Sequence, residues 1–165
     1  MNTTPDPAQA SSASAALGQD ISTVLTGLVE SSRDAVELEI RKAREQTCLR
    51  PEEKDPQTNT AWIGLAEAPV ASRTAANRAL DRMDQHLLAD SWEKKNEVTD
   101  ESTRALYFRK GDLGATAKIV EGGSRPTLEV IVTSPCAEQP VEHRMQRLEI
   151  DADYGKNSKY YDDGK

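Results

Sequence analysis

The chain has 165 residues, a length that suits one domain, with a hydrophobic fraction of 36%, aromatics at 4% and charged residues at 30%. Its formal net charge of -7 disfavours nonspecific nucleic-acid binding, which needs Lys and Arg clustered against phosphates, and it repels anionic lipid heads. No run of about 18 apolar residues exists to cross a bilayer as a helix.

Residues 1–19 are mostly Ser, Ala, Thr, Pro, Gln and Gly. Such a stretch buries too little surface to offset its ordering entropy, which predicts a flexible tether. The opening "MNTTPDPAQASSASAALGQD" has neither the basic start nor the apolar run of a secretory leader. Asp20 is the expected N-cap of a first helix, in which Ile21, Val24, Leu25, Leu28 and Val29 recur at helical spacing. Ala35, Val36, Ile40 and Ala43 extend that stripe, and Glu37 and Arg41 would pair on its solvated face. "SSRD" at 31–34 interrupts it and marks a bend or break.

"CLRPEEKDPQTNT", 48–60, is a loop by composition. A short strand, "TAWIGLAEA", follows and closes at Pro69. The second helix starts near Ser72 and carries Ala76, Leu80, Met83 and Leu87 on one side, with Trp92 packing under its end. After "KKNE" the apolar period changes to two. "RALYFRKGD", "LGATAKIVEGG" and "RPTLEVIVTSP" form a three-stranded antiparallel meander with one face covered. "VEHRMQRLEI" fits a short helix or a short extra strand. The last stretch, 151–165, is a polar acidic tail.

The expected architecture is α+β, with two helical stretches on one face of a small antiparallel sheet. It divides into a tether at 1–19, one domain at 20–150 and the tail at 151–165.

The two cysteines, Cys48 and Cys136, lack the CxxC spacing of redox and zinc sites, and their even number is what one disulfide requires. Buried free thiols and a reactive thiol remain the alternatives. A thiol enzyme needs a base, and the histidines are His86, on a helix flank, and His143, seven residues after Cys136. It also needs an orienting third group and an oxyanion hole, for which no motif is present. In the tail, Asp151, Asp153, Asn157 and Asp162 come close to the spacing of a calcium loop. The turn position that wants glycine is Lys156, however, and one ligand is missing. Glu142 and His143, being adjacent, are no transition-metal set. Tyr107, Tyr160 and Tyr161 are candidates for a contact surface, since a tyrosine offers area and a polar tip together. Without a phosphate loop, GxGxxG, HExxH or zinc ribbon, no cofactor is expected.

The order of "AWIGLAEAP", a helix holding "ALDR" and ending at a Trp, and a meander closing in "VTSPC" resembles candidate lipoproteins of high-GC Gram-positive (actinobacterial) bacteria. These are small exported envelope proteins of mostly undetermined function. The resemblance covers roughly 48–155. It implies that Cys136 pairs with Cys48. Together with the tether, the expected disulfide and the missing catalytic constellation, it points to a non-enzymatic envelope domain contacting a protein or ligand. The family's lipid-bearing cysteine and its lipobox are not in this sequence. A chain following such an anchor would be extracytoplasmic and start with a tether; a chain with Met1 as native start would be cytoplasmic. A second reading is an inhibitory or immunity-type module of phage or mobile-element origin, its acidity suited to a basic partner. The third is the thiol enzyme or calcium binder.

Overall fold

The computed structural model describes residues 6–163. Two helices and one antiparallel sheet make up its regular structure, α1 (Pro7–Ser32), β1 (Glu39–Thr47), β2 (Asn59–Pro69), α2 (Arg73–Ala89), β3 (Glu93–Thr99), β4 (Arg104–Lys110), β5 (Leu113–Val120), β6 (Thr127–Thr133) and β7 (Ala137–Glu138). Among the described residues the sheet has seven strands in the order β1-β2-β6-β5-β4-β3, with β7 also pairing to β2. The architecture is α+β as expected, but the sheet is larger than a three-stranded meander. The meander β4-β5-β6 is its centre, flanked by β2 and β1 on one side and β3 on the other.

Both helices lie on the same face, α1 over β1, β2 and β6 and α2 over β3, β4 and β5, with α1 against α2. Ile21, Leu25 and Leu28 of α1 meet Leu80 and Met83 of α2 over Leu106, Leu128, Val130 and Val132, all fully buried. Each such Leu, Ile or Met side chain contributes roughly 1.5–3 kcal/mol by leaving water. Ser72 caps α2, its hydroxyl accepting from the Ala75 amide at 3.1 Å. Trp92 is buried just past that helix. Gly111, at φ +58°, makes the two-residue turn from β4 to β5 that a side chain would strain.

Four expectations about residues 1–43 need correction. The tether at 1–19 is helical from Pro7 onward; residues 1–5 lie outside the described residues. Asp6, not Asp20, is the cap, its carboxylate accepting from the Ala8 amide at 3.0 Å, with Pro7 in the first turn where a missing N–H costs nothing. The reason is tertiary: Ser14 and Gly18 are small where α1 meets Trp62 of β2. A Cβ on Gly18 would stand 2.8 Å from Trp62 Cζ2. At its other end α1 stops at Ser32, whose hydroxyl turns back to the Leu28 carbonyl at 3.0 Å. Ile40 and Ala43 therefore do not continue the helix but belong to β1, and Arg41 pairs with Glu39 and Glu67 instead of Glu37.

The stretch 141–150 is neither helix nor strand beyond isolated bridges such as Arg44↔Arg147. It runs along the outer edge of β1 and continues into 151–163, which is held there too, Asp151 accepting from the Ala43 amide and Tyr161 donating to the Glu45 carbonyl. The Glu45 amide donates to the Gln146 carbonyl and the Leu148 amide to the Ala43 carbonyl, both at 2.8 Å.

Candidate functional site

On β1 the positions that face α1 are Ala43 and Glu45, opposite Gly64 and Trp62 of β2. Glu45 is thus a carboxylate driven inward by strand alternation, and its side chain is 1% exposed. A charge so placed survives only with hydrogen bonds in place of water. Ser14 Oγ donates to Oε1 at 3.3 Å and Thr60 Oγ1 to Oε2 at 2.8 Å. His143 Nε2 lies 2.7 Å from the same Oε2. Trp62 Nε1 donates to Ser14 Oγ at 3.1 Å, and Tyr161 OH donates to the Glu45 backbone carbonyl at 2.7 Å. Residues from α1, β1, β2 and the C-terminal segment converge here.

A carboxylate on Nε2 places a ring hydrogen there. Nδ1 then has no protein partner among the described residues, and it is not sealed from solvent. His143 lines an open cleft of about 540 Å³ together with Lys54, Gln57, Arg144 and Tyr160. The carboxylate–imidazole pair supplies two of the three members of a nucleophilic triad, but the Ser14 hydroxyl rests on the carboxylate and not on the imidazole. A nucleophile on the ring, which that chemistry needs, is not assembled among the described residues.

Cys136 is no partner for His143, since its sulfur is bonded to Cys48. That disulfide ties the end of β1 to the link between β6 and β7, and both cysteines are exposed. His86 is exposed in the last turn of α2, its Nε2 beside Gly27 of α1.

Two of the four calcium-loop residues, Asp151 and Asp153, are drawn to a protein cation. Asp151, buried, accepts from Arg44 Nε and Nη2, both at 2.7 Å, and from the amides of Ala43 and Asp153 at 2.8 Å. Asp153 accepts from Arg44 at 2.8 Å and from Lys156 at 2.6 Å. Lys156 and then Arg44 pull the Asp153 carboxyl down to a pKa of about 2. Burial works against the Arg44 charge, but Asp151 and Asp153 outweigh it and hold the guanidinium above its ordinary value. Asn157 is exposed, and Asp162 is tied by its amide to the Met145 carbonyl. Among the described residues no cluster of three or more His, Cys, Asp or Glu could hold a metal ion.

The three tyrosines separate. Tyr161 is held between guanidiniums, its ring centroid 4.9 Å from Arg147 and 5.9 Å from Arg44. Burial raises its phenol pKa and the two arginines oppose the rise. Tyr160 is exposed under the Lys159 ammonium, and Tyr107 stands exposed on the sheet face away from the helices. The residue that sequence reasoning missed is Glu45. Its signal was the alternation Ala43–Glu45 against Lys42–Arg44, legible only once 39–47 is taken as a strand.

No protein-family model matches the chain, and no curated protein matches it. Among solved structures the chain is similar to the crystal structure of LppA, a candidate lipoprotein from Mycobacterium tuberculosis, at 10% identity and a TM-score of 0.39, covering 82% of this chain and 92% of that one. A likeness so remote assigns no family.

Proposed function

We propose that this chain is an exported domain of the cell envelope that works through protein or ligand contacts and not by catalysis. The observation that carries the reading is the disulfide between Cys48 and Cys136, with both cysteines at the surface. Exposed disulfides persist in oxidising compartments and are reduced in the cytosol. The resemblance of the "AWIGLAEAP" and "VTSPC" segments to actinobacterial envelope proteins supports the same compartment. The non-catalytic part is supported by the engagement of Glu45, Ser14 and Thr60 with one another, which spends these groups on structure.

The test is a free-thiol count on unreduced, denatured protein, by alkylation and intact mass, combined with fractionation of cells making the native gene product. No label, a mass two hydrogens light and recovery with the envelope are expected. Two labelled thiols on protein taken from an oxidising compartment, or purely cytosolic recovery, would overturn the reading.

A further inference from the structure

The sheet face opposite the helices is uncovered among the described residues. On it, Gly114 of β5 sits between Arg109 of β4 and Thr133 of β6 in the pairing register. Having no side chain, it leaves a dip, since the nearest atom to an added Cβ would be Thr133 Oγ1 at 3.4 Å. The dip opens into a groove of about 420 Å³ whose apolar parts include Tyr107 and Ile131.

All the charged residues lining this groove are cations, Lys95, Arg109 and Lys118, on a chain whose net charge is -7. Glu93 holds Lys95 at 2.7 Å and Glu129 holds Lys118 at 3.2 Å. Arg109 is exposed, and beyond the backbone pairing of β4 no hydrogen bond or ion pair engages its guanidinium among the described residues. A free guanidinium beside an exposed tyrosine and an apolar dip is the residue set on which interfaces concentrate their energy. The planar fork of Arg matches a carboxylate two bonds at a time.

We propose that this groove docks an acidic segment of a partner protein, an apolar side chain seated over Gly114 and Ile131 and a flanking carboxylate on Arg109. The inference rests on the reading of the chain as an interaction module and gives the partner its chemistry. The sign of the local lining selects the occupant. A second copy packed through the same face would set cation against cation, and an acyl chain laid in so open a groove would stay largely in water. Strand addition is not the mode: the outer edge of β1 is covered by the C-terminal segment, and β3 presents the exposed charges Glu93, Lys95 and Glu97.

The test titrates the full ¹⁵N-labelled chain with a synthetic peptide Glu-Asp-Phe-Asp-Glu, with Lys-Arg-Phe-Arg-Lys as control. The acidic peptide is expected to shift the amides of Tyr107, Arg109, Gly114 and Ile131, and the basic one to leave them in place. Arg109→Glu should weaken the acidic peptide about tenfold or more, the loss of one charge-assisted contact. Gly114→Val, which fills the dip from an uncrowded position, should weaken it as well. Equal response to both peptides, shifts confined elsewhere, affinity unchanged in both variants, or no shift at all would overturn the proposal. So would dimerisation through this face in sedimentation without peptide. None of these outcomes bears on the thiol count or the fractionation, so the failure of the groove and the failure of the envelope reading are distinguishable.

Discussion

Glu45 is held by Ser14, Thr60 and His143, and removing a buried charge orphans whatever surrounded it. Glu45→Ala is expected to cost about 3 kcal/mol or more, since it leaves several buried hydrogen-bonding groups without their acceptor at roughly 1–3 kcal/mol each. His143→Ala should cost less, roughly 1–3 kcal/mol, because Ser14 and Thr60 still satisfy the carboxylate. Urea midpoints of the two variants check the order, and the reverse ranking would mean that the imidazole is the main support. Asp153 makes a pH prediction. Its carboxyl lies at about 2 in the fold against an ordinary 3.8, so the folded state prefers the charged form. The contribution is therefore complete above the ordinary value and disappears as pH falls through the folded one. A ¹³C carboxyl titration should place the Asp153 midpoint near the value of about 2, and Asp153→Asn should abolish that titration. A midpoint at the ordinary carboxylate value would refute the Arg44–Lys156 grip.

Helix α1 contains two glycines at close approaches whose replacements should have opposite effects. A Cβ on Gly27 would meet only the far end of exposed His86, at 2.8 Å, which can swing aside. Gly27→Ala is expected to gain about 0.5–1 kcal/mol of helix preference. At Gly18 the same Cβ would meet Trp62, which is 2% exposed and tied to Ser14. Gly18→Ala should lose roughly 1–3 kcal/mol by overpacking. Thermal midpoints moving in opposite directions would confirm the contrast.

The same elements show what could be read from sequence. α2 and the meander were legible because their buried residues repeat cleanly, Ala76, Leu80, Met83 and Leu87 at helical spacing and Leu128, Val130 and Val132 at every second place. β1 was hidden for two physical reasons: a register irregularity between Ile40 and Lys42 breaks its alternation, and one of its inward positions is a glutamate. β3, "EKKNEVT", is an edge strand almost wholly exposed, so no apolar period existed to find. Ser14 and Gly18 are small where α1 meets Trp62, and small residues are also what a tether is made of, so composition reads the same in both cases.

At the scale of the molecule, the disulfide closes a loop between residues 88 positions apart. In the chain-entropy model this is worth about 4–5 kcal/mol, so the reduced protein should unfold at a clearly lower urea concentration than the oxidised one. Coincident midpoints would show that packing alone determines stability. Pairing of Cys48 with Cys136 was implied by resemblance and parity, whereas the convergence on Glu45 was not, because 14, 45, 60 and 143 are joined only by the fold. The net charge was legible but misleading about local sign: a chain that invites a basic partner as a whole carries, on its open sheet face, a groove whose charged lining is cationic.

Ser14 stands near the start of α1 and Tyr161 near the end of the chain, yet both hold Glu45, one at its carboxylate and the other at its backbone carbonyl. Helix α1 and the segment 151–163 therefore share a single keystone. A cut that releases either one removes a support from the residue anchoring the other, so loosening one of these two segments should loosen the second as well.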